Sequence, residues 1–185
     1  MKRFVCIFCA LMCVFAVTAE SGFDFTWAFG SSGIIYGDPD FVTQFDTIKA
    51  RGNKDIVLSG EAGIRMMFTE YIGVTVNAIV NLDMLMFEDF NLFFDYGIAG
   101  GVRVFTGLGG LNIGIEYVTG RRTDFVKDAV TSSSSWGNGF RFALEYEFKN
   151  LIKTFSPSLG VSWRRMPRGN NAADNIITFY VRAPF

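Results

Sequence analysis

The chain has 185 residues, 17 lysines and arginines against 18 aspartates and glutamates for a net charge of −1, no histidine, and three cysteines. This balance offers no basic patch for DNA or RNA. With all three cysteines, Cys6, Cys9 and Cys13, close to the start, it also leaves nothing beyond that stretch for histidine-based catalysis, thiol chemistry or a Cys/His metal centre.

Met1, Lys2 and Arg3 are followed by an apolar run over residues 4–17, and Val17, Thr18 and Ala19 precede Glu20. This is the pattern of a secretory signal peptide, residues 1–19, cut after Ala19. A helix that stayed in the membrane would need ~20 apolar residues, more than this run supplies. Leu11 and Met12 directly before Cys13 argue against a lipid attachment site. Loss of Lys2 and Arg3 takes the formal charge to 15 − 18 = −3 over residues 20–185, a length suited to one domain.

Apolar residues then recur at every second position in eight segments: 23–29, 56–68, 72–82, 94–104, 111–117, 140–148, 155–163 and 177–185. Period-two alternation makes each segment a strand with one apolar and one polar face. Pro157 falls early in the seventh segment, where a missing N–H donor is tolerated. The connections after odd strands, residues 37–54, 83–91, 119–135 and 165–174, are long, and those after even strands are tight. Even strand number, alternating segments and alternating loop lengths together predict an all-β fold: an eight-stranded antiparallel up-and-down transmembrane β-barrel, both termini periplasmic.

The charges decide which face meets lipid. Asp24, Glu61, Arg65, Asp95, Arg103, Glu116, Arg141, Glu145, Glu147, Arg164 and Arg182 share the non-apolar parity with small residues such as Gly63, Gly97, Gly114, Ala143 and Gly160. No lysine stands among them; Lys49, Lys54, Lys127, Lys149 and Lys153 fall in loops, turns or strand ends. A soluble barrel of the lipocalin type would invert this pattern, with a lysine-rich solvated outside. Arginine's planar fork suits enclosed pairing with carboxylates, so the polar face reads as a narrow lumen. A one-residue slip of any strand would push its charges into hydrocarbon, at ~2–4 kcal/mol per midplane arginine. Aromatics near strand ends suggest two girdles, Phe23, Phe68, Tyr71, Phe105, Phe148, Phe155 and Phe185 at one rim and Phe93, Phe94, Tyr117, Trp136 and Trp163 at the other.

The chain closes on Phe179, Val181, Ala183 and Phe185, which looks like the C-terminal signal read by the outer-membrane insertion machinery. With that ending, the leader and the eight alternating strands, the chain resembles the small outer-membrane barrels of the OmpA, OmpX and OmpW class. The resemblance implies a bacterial outer-membrane location, with membrane lipid and the insertion machinery as partners, and an external ligand or host protein as a further candidate. It rests on pattern and carries over no functional residue.

No cofactor, metal or enzymatic activity is expected. The serines at 132–135 have no evident base, and Asp38, Asp40 and Asp46 match no calcium loop. The lumen charges have two readings. In one they form a salt-bridged plug, with an outer layer of Glu61, Asp95 and Glu116 facing Arg141 and Arg164 and an inner layer of Asp24, Glu145 and Glu147 facing Arg65, Arg103 and Arg182. In the other they line a narrow water path. The second loop carries Met84, Leu85, Met86, Phe87, Phe90 and Phe93 around Glu88 and Asp89, either a strand extension into the headgroup zone or a patch for a partner or apolar solute. The leading expectation is a monomeric surface protein, structural or ligand-binding, acting through four external loops. The alternative is a narrow pore or lateral path for small or hydrophobic solutes.

Overall fold

The computed structural model describes residues 23–148, 156–169 and 172–184. The leader, Phe155, Phe185, Lys149 and Lys153 lie outside the described residues. Eight strands run in chain order as β1 (Phe23–Ile35), β2 (Lys54–Met67), β3 (Ile72–Met86), β4 (Asn91–Phe105), β5 (Leu111–Phe125), β6 (Gly137–Glu147), β7 (Ser158–Gly169) and β8 (Ala172–Pro184). Each pairs antiparallel with the next, and β8 closes onto β1 from Thr26↔Pro184 to Ile35↔Asn175. Closure gives each of these strands a partner on both sides, as lipid requires, since an open sheet edge would leave backbone groups unsatisfied.

Burial alternates along the strands as the period-two pattern requires, most cleanly on β3, β5, β6 and β7. On β1, Thr26 and Ala28 are buried while Phe25, Trp27 and Phe29 are exposed on the outside. On β6, Arg141 and Glu145 are buried and Phe140, Phe142 and Tyr146 are exposed. The molecule is inverted relative to a soluble protein: its charges are inside, and its large apolar side chains cover the outer surface.

Several expected loops are shorter than their sequence suggested. β5 continues to Phe125 and β7 to Gly169, so most of segments 119–135 and 165–174 is strand, with Ser132–Ser133 adding a two-residue ladder onto β5. β1 likewise continues beyond residue 29 to Ile35. The second loop shrinks to the turn carrying Phe87 and Phe90, because Met84, Leu85 and Met86 pair with β2 and, in part, β4. Pro157 precedes β7 rather than entering it. Phe93 is not a girdle residue: it points inward and is 1% exposed.

Segment 37–54, expected as an acidic loop, holds the helix α1 (Pro39–Lys49). Asp38 caps it, its carboxylate accepting from the backbone N–H groups of Asp40 at 3.1 Å and Phe41 at 3.3 Å, and Pro39 opens the first turn. Phe41, Phe45 and Ile48 recur at helical spacing and are buried against Leu85 and Phe93, with Tyr36 and Val126 alongside. The Phe41 ring meets the Phe93 ring edge-on at 5.2 Å. The helix therefore lies as a cap on the end of the barrel that bears the long connections.

Candidate functional site: the ion-paired lumen and its cap

Inward parity brings charged side chains of all eight strands into the lumen, where each must find a partner because no bulk water solvates it. The middle of the lumen holds a closed cycle. Arg141 on β6 donates to Glu61 at 2.5 Å and to Glu116 at 3.1 Å. Glu116 lies 3.5 Å from Arg103, which reaches Glu145 at 2.5 Å. Arg182 then joins Glu145 at 3.0 Å back to Glu61 at 2.7 Å. Three carboxylates and three guanidiniums thus alternate around the barrel with zero net charge. Neutral donors complete it: Thr75 donates to Glu116 at 3.0 Å and the Tyr180 phenol to Glu145 at 2.6 Å.

Below this ring, at the short-turn end, Arg65 pairs with Asp24 at 2.8 Å and with Glu147 at 3.6 Å. Above it an alternating chain runs toward the cap. Arg164 donates to Asp95 at 2.7 Å, Arg168 joins Asp95 to Asp174, and Arg122 joins Asp174 at 3.1 Å to Asp124 at 2.7 Å. The Arg122 guanidinium stacks on the Phe41 ring, 3.5 Å from its centroid, so the last cation of the chain is covered by α1. Beside it the Tyr36 phenol donates to Asp83. Burial, reinforced by that carboxylate, pushes the Tyr36 pKa well up and keeps the proton in place.

The expected two-layer sorting is corrected here. Glu61 and Glu116, assigned to an outer layer, share the ring with Glu145, Arg103 and Arg182 from the inner one, while Asp95 and Arg164 belong to the separate chain above. The cause is barrel geometry: tilted strands are staggered around the axis, so equal depth does not follow from rank along each strand. Arg122, Asp124, Arg168 and Asp174 were missed because they lie in segments read as loops. Their signal was present as inward parity continuing beyond residues 117 and 163 and, for Asp174, ahead of residue 177. Of the residues in the apolar second loop, Leu85 is buried under α1, Met84 and Met86 face outward on β3, and Phe87 and Phe90 stand exposed at the turn.

Between ring and upper chain the lumen carries hydroxyls. Ser59 donates to Asn81 at 2.8 Å, and Ser32 and Thr178 approach each other at 2.7 Å. The space left among Ser59, Glu61, Arg141, Arg164 and Thr178 is about 20 Å³, room for roughly one water. Gly160 allows the ring to close, since a Cβ there would fall 2.7 Å from the Tyr180 ring and 2.8 Å from Glu145 Cγ. Gly160→Val is expected to lower unfolding stability in urea by about 1–3 kcal/mol, the usual cost of overpacking; an unchanged midpoint would show the ring is looser than described.

Outside the lumen, α1 and the neighbouring turns enclose a groove of about 420 Å³ lined by Asp40, Gln44, Arg51, Asp89, Lys127 and Asp128 among others. Lys127 and Asp89 pair across it at 2.6 Å.

No family model matches the chain, and no curated protein matches it. Among solved structures it is similar to the crystal structure of Neisserial surface protein A, with a TM-score of 0.59 and 13% identity over 89% of this chain and 98% of the other. The chain is also similar to Ail, the attachment invasion locus protein of Yersinia pestis, with a TM-score of 0.54 and 9% identity over 88% of this chain and 97% of Ail. A second Ail structure, in complex with the heparin analogue sucrose octasulfate, gives 0.53 at 9% identity over the same shares, 88% and 97%. At such identities it is the backbone that is shared: the closed, antiparallel, eight-stranded barrel is the fold of these small outer-membrane proteins.

Proposed function

We propose that this chain is an integral outer-membrane barrel whose lumen does not conduct and whose activity is exerted by its capped external face, as a structural or ligand-binding surface protein. The observation that carries this is the closed ring of Glu61, Arg141, Glu116, Arg103, Glu145 and Arg182. An ion entering the lumen would have to displace pairs that have no water to fall back on. The cap of α1 adds a second barrier above it.

On the external face Asp38, Asp40, Asp46, Asp55, Glu88, Asp89 and Asp128 stand against Lys49, Arg51, Lys54 and Lys127 with Arg121 and Arg165 outward at the strand tops, an acidic excess of one. Ail has been solved with a polysulfated heparin analogue, but the near-balanced charge here favours an electroneutral ligand over a polyanion, and the groove along α1 is the surface that would receive it.

The test is current through planar bilayers holding the refolded protein, with compact migration on an unheated gel as proof of folding. A silent bilayer is expected. Discrete, reproducible steps from folded protein would refute the sealed lumen and favour passage of small solutes.

A further inference from the structure

We infer that two copies of this chain pair in the membrane through the outward face of β2, β3 and β4. Around the rest of the barrel the outward apolar row is interrupted by a polar residue: Ser31 on β1, beyond which Gly33 and Ile35 follow, Thr119 on β5, Asn138 on β6, Arg165 on β7 and Asn175 on β8. On β2 to β4 there is no such interruption by a charge, amide or aliphatic hydroxyl. Outward positions remain apolar or glycine from Met66 to Ile56 and from Ile72 to Met86, and from Val104 to Leu92 they are broken only by the phenol of Tyr96.

Each outward row adds two residues, or about 5 Å of height on strands tilted about 40°. The face on β3 therefore stands about 35 Å tall, whereas the apolar band of such barrels is about 25 Å. The surplus of about 10 Å lies at the capped end, in Leu82, Met84 and Met86 with Leu92 and Phe94 beside them. Phe87 extends it at the tip. It is 71% exposed and held at φ 105°, a conformation that bulky residues rarely adopt. Tilting the barrel cannot submerge the surplus, because Ile72 and Val104 continue the same face to the opposite rim and would leave the bilayer there.

A second copy is the occupant that fits this face. Two copies inserted with the same side out carry their walls at the same height, and a two-fold axis along the membrane normal sets like against like. The wall is three strands wide, about 15 Å, so one pairing uses it up and assembly stops at two. Its footprint, about 500 Å² per copy before side-chain relief, gives about 1,000 Å² for the pair, the lower bound for a specific interface. It contains no charge to be buried, since Lys54 sits at its upper edge over the Phe87 ring. The sequence-based expectation was a monomer; the uneven height of the apolar face around the barrel is what argues for a pair.

The inference rests on the membrane-spanning reading, and its test keeps the two apart. Met84→Cys on the wall and Asn175→Cys at a similar height on β8 are introduced separately into the full chain. Membranes are oxidised in place, and the unchanged chain, with Cys6, Cys9 and Cys13, sets the background. Expected for Met84→Cys is a disulfide-linked dimer comprising most of the protein, with Asn175→Cys at background. Equal cross-linking at both positions, a cross-link to a species of another mass, or none at all would overturn the pairing; the last outcome would leave lipid as the cover. Phe94→Cys repeats the test should Met84→Cys fail to migrate as a compact barrel. An unchanged chain that is not recovered from membranes would overturn the spanning reading itself.

Discussion

Replacing Arg103 by leucine is expected to cost the barrel about 3–5 kcal/mol of unfolding stability, the range for removing one partner of a buried ion pair. Arg103 is 1% exposed and lies between Glu145 and Glu116, while its Nη1 also donates to Asn112 at 2.9 Å. The substitution leaves two carboxylates facing each other in a lumen without bulk water. Most of the cost is therefore the stranded charge rather than the lost attraction. Two further substitutions separate those contributions. Glu145→Leu alone should be comparably destabilising, because Arg103 and Arg182 each lose a partner. The double variant should cost clearly less than the sum of the singles, because the two orphaned charges are removed together. Urea titrations followed by the shift between compact and unfolded gel bands measure all three. Strict additivity would mean that the ring is a set of independent contacts.

Phe41→Ala has the other large expected effect, and it should be local. The Phe41 ring packs on Phe93 and Tyr36 and forms the stacking surface for Arg122. Truncating a buried phenylalanine costs about 3–5 kcal/mol where the surroundings cannot collapse. A helix of 11 residues held by three buried side chains is marginal by itself, so detachment relieves that cost more cheaply than a cavity. Limited proteolysis should then cut between residues 38 and 53 at low protease, while the unheated gel still shows a compact barrel. Resistance equal to that of the unchanged chain would mean that the cap is held by contacts other than this apolar cluster.

The wall of the barrel was legible in the sequence because lipid and lumen impose opposite demands on alternate residues. Charges such as Asp24, Glu61 and Glu145 kept strict parity with Phe25, Ala62 and Leu144 beside them. Where the strands rise above the lipid, that contrast fades. Arg121 and Arg122 are adjacent in sequence and read as a charged loop, yet one faces outward above the apolar belt and the other enters the lumen. On β7 Arg165, read as the start of a loop, stands outward one residue beyond the lumen-facing Arg164. Depth was not legible at all, since pairing across the lumen depends on stagger, which no single strand encodes. The helix was legible but overlooked. Asp38 and Pro39 form a capping signal, and Phe41, Phe45 and Ile48 follow at helical spacing, but the acidic residues between them suggested a solvated loop.

Everything above depends on the outer phenylalanine-rich surface meeting lipid. The most direct test is quenching of tryptophan fluorescence by lipids brominated along their acyl chains. Trp27 on β1 and Trp163 on β7 face outward, 44% and 38% exposed, within the apolar belt. Strong quenching is expected, deepest for bromines near mid-chain in a Trp136→Phe variant that removes the tryptophan nearest the outer rim. Emission indifferent to brominated lipid, from protein that stays soluble without detergent, would contradict the account and point to a barrel that folds in water.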